Sequence, residues 1–123
     1  MHRSVLPAVV ALLGVQACAD VSNRGAPPEI LASETCREFF LVRASPGYPA
    51  AAMKDHASGY AVATYSLDGS GKAKDIHIVQ SEPRGTFDAA ATGALERSSF
   101  KVGASGKECR YVADFAAVRR PAP

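Results

Sequence analysis

The sequence predicts an α+β domain, with two helices packed on a small antiparallel sheet in the order strand, helix, hairpin, helix, strand. Three observations carry that class. Residues 60–67, "YAVATYSL", alternate in character and run into "DGSG", a strong hairpin turn, before "KAKDIHIVQS" returns as a second strand. Residues 87–100, "FDAAATGALERSSF", place Phe87, Ala90, Ala91, Ala94 and Leu95 at helical spacing. Residues 109–118, "CRYVADFAAV", alternate again, with Tyr111, Ala113 and Phe115 opposed to Val112, Asp114 and Ala116.

Taken from the N-terminus, the first element is a leader. Arg3 supplies a positive start, and "VLPAVVALLGV" supplies an apolar run. That run is shorter than the roughly 20 residues a spanning helix needs, so residues 1–17 read as a secretory signal. Two readings of "VQACAD" stay open. In one, Val15 and Ala17 lead a lipobox, and Cys18 carries lipid as the first mature residue, with Ala19 next, an outer-membrane address. In the other, Ala17-Cys18-Ala19 is a cleavage site and the product is soluble in the periplasm. Residues 18–35 then read as a flexible tether, because Gly25, Pro27 and Pro28 break regular structure. Stretched out, residues 19–33 of this leash span at most ~50 Å.

The domain itself is expected over residues 36–119, with a tail at 120–123. "CREFFLV" (residues 36–42) is apolar and aromatic, a short first strand. "SPGYP" turns the chain, and Pro49 suits the first turn of a helix. "AAAMKDHAS" follows, with Ala52, Met53 and Ala57 toward a core and Gly59 as its stop. On the next strand Ala61, Ala63, Tyr65 and Leu67 form the better core face, and Ile76 and Ile78 share a face of its partner. Thr86 is placed to cap the second helix. Gly93 weakens that helix by roughly 1 kcal/mol and suggests close packing on the sheet. Cys36 and Cys109, an even pair in an exported chain, suggest a disulfide, with two buried thiols as the other reading.

The composition argues against several functions. The chain has 123 residues, 47% hydrophobic and 21% charged, so it holds one small domain. Its net charge of +2 and its lack of a basic cluster give no footing for nucleic acid. His56 and His77 read as surface residues without metal-pair spacing. "GSGK" (residues 69–72) fails the phosphate-loop pattern, and no Gly-x-Ser-x-Gly elbow exists. Asp68 and Asp75 are too few for calcium. No catalytic set, cofactor or metal is expected.

Tyr48-Pro49, a short helix, Gly59 with the alternation after it, Asp68-Gly69, "IHIVQSEP", "FDAAATGAL" and "SSF" together resemble the TonB C-terminal domain family over residues 45–118. The resemblance implies a protein-binding module that takes a short segment of an envelope or outer-membrane receptor as an added strand, in TonB-dependent transport. Carried over by position, the receiving strand is Arg110, Tyr111, Val112, Ala113, Asp114 and Phe115. Self-association, as a structural envelope lipoprotein or a homodimer, is the competing expectation. The chain departs from the motor-coupled members. Ser45-Pro46-Gly47-Tyr48-Pro49 stands where they often read Gln-Pro-x-Tyr-Pro, and Lys101 follows Phe100 where a proline is usual. The short apolar start and short tether make direct contact with an inner-membrane motor unexpected.

Overall fold

The structure, a computed structural model, describes residues 25–116. The leader, Cys18 and the C-terminal tail lie outside the described residues. The elements are α1 (Pro28–Leu31), a 3-10 turn (Arg37–Phe39), β1 (Phe40–Val42), α2 (Ala50–Lys54), β2 (Gly59–Asp68), β3 (Ala73–Glu82), α3 (Asp88–Arg97), β4 (Ser99–Phe100) and β5 (Ser105–Phe115). Three strands form the main antiparallel sheet in the order β3-β2-β5, and β1 pairs with β4 in a separate two-stranded one. This is the expected α+β class.

The core lies on one face of the main sheet. Ala61, Ala63, Tyr65 and Leu67 of β2 are buried there with Tyr111, Ala113 and Phe115 of β5. Ile76 and Ile78 of β3 pack against the same cluster. Helix α3 covers this face with Ala91, Ala94 and Leu95, whose small or aliphatic side chains repeat at helical spacing. Phe87 stacks on Phe115 at 4.2 Å between ring centroids, and Tyr48 meets both rings edge-on. The Tyr48 hydroxyl donates to the carbonyl of Ala57, which fastens α2 and its exit loop. Tyr48-Pro49 is thus an anchor followed by a helix start, with the Met53 N–H donating to the Pro49 carbonyl.

Several local expectations are corrected. Only residues 40–42 of the first apolar run are strand; Cys36 takes a left-handed conformation (φ 65°) and starts a 3-10 turn. Helix α2 ends at Lys54, and Met53 is exposed, because five residues present a single inward face, occupied by Ala52. Gly59 opens β2, as the family resemblance implies, and does not stop α2. A Cβ there would stand 1.9 Å from the Glu82 carbonyl oxygen, so only glycine fits between the strands. Thr86 does not cap α3; Phe87 holds that position without a side-chain cap, its ring drawn into the core. At Gly93 a Cβ would meet the guanidinium of Arg97, at 3.1 Å, and not the sheet. The space lets Arg97 reach the Ser45 carbonyl at 2.9 Å.

The opposite face of the sheet holds a second cluster, Tyr60, Val62 and Val112. It is closed by Ala26 and Ile30, which belong to the segment expected to be a tether. Residues 25–35 are packed because α1 presents Ile30 to an apolar sheet face that would otherwise meet water. The Cys36–Cys109 disulfide is present and pins the end of this segment to β5.

Candidate functional site

β5 is the outermost strand of the main sheet on one side. Its inner edge pairs with β2, from Gly59 opposite Phe115 to Asp68 opposite Ser105. A register shift between Tyr65 and Leu67 puts one extra residue in β5, where Glu108 has φ 58°. Beyond that bulge the strand runs regularly through Arg110, Tyr111, Val112, Ala113, Asp114 and Phe115. Tyr111, Ala113 and Phe115 point into the core, which holds the strand rigid. Arg110 and Val112 turn their backbone N–H groups outward, away from β2. These are the donors a further strand would use.

The edge is not bare. The Arg110 N–H donates to Thr35 Oγ1 at 2.9 Å, and the Arg110 carbonyl accepts from the Thr35 N–H at 3.0 Å. The Val112 N–H donates to Glu34 Oε2 at 3.2 Å. The Val112 carbonyl lies 3.5 Å from Arg43 Nη2, and Arg110 Nε donates to Ser33 Oγ at 3.1 Å. Farther along, the Ala26 N–H donates to Asp114 Oδ1 at 2.7 Å. Residues 33–35 are not a strand. Two of their side-chain oxygens stand where the carbonyls of a neighbouring strand would be.

Glu34 is held from behind. Its side chain is only 7% exposed and pairs with Arg43 at 2.6 Å. The Arg43 guanidinium sits 4.9 Å from the ring centroids of both Phe40 and Tyr111. Arg37, 3.8 Å from Glu34 and largely exposed, adds little. Burial pushes the Tyr65 hydroxyl up to about 12, with the Glu34 charge acting in the same direction. Burial raises Tyr111 as well. Both shifts keep these phenols neutral.

The other edge of the sheet differs in kind. β3 carries extra residues at two places in its pairing with β2, between Ile78 and Gln80 and between Lys74 and His77. Asp75 there has φ 52°. Bulges and charged side chains are how natural sheets blunt an edge against pairing. A groove of about 670 Å³ runs between the start of α1 and the start of β2, lined by Ala26, Pro27, Gly59, Tyr60, Glu82 and Pro83 among others. Glu82 is the one ionisable carboxylate in that lining, so no acid–base pair converges there. Among the described residues no group of three His, Cys, Asp or Glu side chains could hold a metal. No described helix is long and apolar enough to cross a membrane.

Sequence reasoning reached β5 and its disulfide. It missed Glu34, Thr35 and Arg43. The signal was the bridge itself: Thr35 precedes Cys36 and Arg110 follows Cys109, so joining the cysteines brings those neighbours together.

The family described as the Gram-negative bacterial TonB protein C-terminal matches residues 44–115, more than half of the chain. Among solved structures, the solution structure of the Pseudomonas aeruginosa TonB C-terminal domain is similar in fold, with a TM-score of 0.53 at 20% sequence identity. The alignment covers 68% of this chain and 88% of that one. A comparison with curated proteins finds no significant match. The chain belongs to the TonB C-terminal domain family.

Proposed function

We propose that this domain is a non-enzymatic, periplasmic protein-binding module of the TonB type. It receives an extended segment of an outer-membrane receptor or another envelope protein as a strand beside β5. The role lies in TonB-dependent transport, as an accessory or adaptor. One observation carries the reading: β5 is a rigid outer strand whose residues 110 and 112 direct their N–H groups away from the sheet. Such an edge gives affinity through main-chain hydrogen bonds and selectivity through side chains. Self-association through the other edge is less well supported, since β3 is bulged in two places. Export by residues 1–17 and lipid attachment at Cys18 belong to the same proposal and would hold the domain at the outer membrane.

The test is site-specific crosslinking in native envelopes. Benzoylphenylalanine in place of Asp114 should form an adduct with an outer-membrane receptor. The same probe at Lys74 on β3 should not. Arg110→Pro removes an outward donor without breaking the β2–β5 pairing, and edge positions tolerate proline. It should abolish the adduct while the fold survives. An adduct that persists in the proline variant, or that forms equally from β3, would sink the reading.

A further inference from the structure

We propose that Ser33, Glu34 and Thr35 form a displaceable cap on the β5 edge, so that an incoming strand must compete with this chain's own N-terminal segment. This rests on β5 being the docking edge. It adds that the edge is closed at rest and that residues 33–35 set how readily it opens.

The cap satisfies the edge with unlike parts. A true neighbouring strand would present backbone carbonyls in register along several residues of β5. Here one backbone pair, at Thr35 and Arg110, is supplemented by a hydroxyl and a carboxylate. The Glu34 oxygen serves two donors at once, the Val112 N–H and the Arg43 guanidinium. A partner strand replaces these with a continuous ladder, and so has more to offer the edge than the cap it removes. The disulfide keeps the displaced cap near. Cys36, next to Thr35, is bonded to Cys109, next to Arg110. A cap on so short a link returns at high effective concentration. Partner affinity is then reduced by the fraction of time the edge is open.

The experiment compares the full chain with Glu34→Ala/Thr35→Ala and with Glu34→Gln, disulfide intact in each. Amide exchange at Arg110 and Val112 reads the cap directly. The benzoylphenylalanine probe at position 114 in native envelopes reads docking. In the double alanine chain both amides should exchange about tenfold faster or more, and adduct yield at limiting receptor should rise several-fold. Glu34→Gln keeps an acceptor for Val112 and loses the charge toward Arg43. It should protect that amide better than the alanine chain does. Unchanged exchange in the double alanine chain overturns the cap. Faster exchange with unchanged adduct yield also overturns it, and leaves docking at β5 standing. Faster exchange with no adduct from any of the chains overturns docking at this edge, and the gating role with it.

Discussion

Replacing both bridge cysteines, Cys36→Ala with Cys109→Ala, tests what holds the first and last parts of this domain together. The two residues are 73 apart in sequence, so the bond closes a loop that includes both longer helices and the hairpin. The chain-entropy relation gives roughly 4.4 kcal/mol for a loop of that length. A domain of this size holds roughly 5–15 kcal/mol in all, so the bridge accounts for roughly 30% of the total or more. Cys109 is fully buried, and losing its sulfur adds a small packing loss to the same sign. Urea unfolding of the oxidised protein and the double variant, followed by circular dichroism, should show the midpoint falling by roughly 2–4 M. The slope should rise in the variant, because an open unfolded chain exposes more surface than a cross-linked one. A midpoint shift below about 0.5 M with an unchanged slope would refute the reasoning. It would mean that the unfolded chain is not freed by losing the bond.

Three further outcomes follow from the core and the strand pairing. Phe87→Ala empties a fully buried site between Tyr48 and Phe115 and should cost about 3–5 kcal/mol in the same urea assay. Gly59→Ala forces a methyl to within 1.9 Å of the Glu82 carbonyl oxygen and should destabilise by about 1–3 kcal/mol, with faster amide exchange at the start of β2. The Tyr65 phenol ionises at about 12 in the folded chain against an ordinary 10.0, so the folded state favours the protonated form. Its contribution is whole below pH 10 and is lost as pH rises toward 12, worth roughly 2–3 kcal/mol over that window. Tyr65→Phe should flatten the alkaline decline. Since the buried Tyr65 hydroxyl finds no hydrogen-bond partner among the described residues, the variant should be as stable as the parent or more so at pH 7. A clear loss at pH 7 would contradict that account.

The parts of this fold that were legible share a cause: each repeats one local rule over many residues. The alternation from Tyr60 to Leu67 and the spacing of Ala91, Ala94 and Leu95 hold because a continuous face must meet the core. Where one atom decided the outcome, sequence reasoning went astray. Gly59 looked like a helix stop and is a point of strand contact, which depends on the position of a single carbonyl on β3. Thr86 looked like a cap, and the burial of the neighbouring ring decided otherwise.

The segment before Cys36 shows the same division. Its glycine and prolines argue for a leash, and that inference treats the residues one at a time. What settles residues 25–35 is the far side of the sheet. Tyr60, Val62 and Val112 form an apolar strip there that α2 and α3 cannot reach, and Ala26 and Ile30 are the residues at hand to cover it. Once Ile30 is seated and Cys36 is bonded to Cys109, the residues between have little freedom. Ser33, Glu34 and Thr35 then lie along β5, and all three side chains bond to Arg110 or Val112. The polar character that suggested a solvated linker is what closing a strand edge requires. An apolar side chain at position 34 would leave the Val112 N–H without its acceptor.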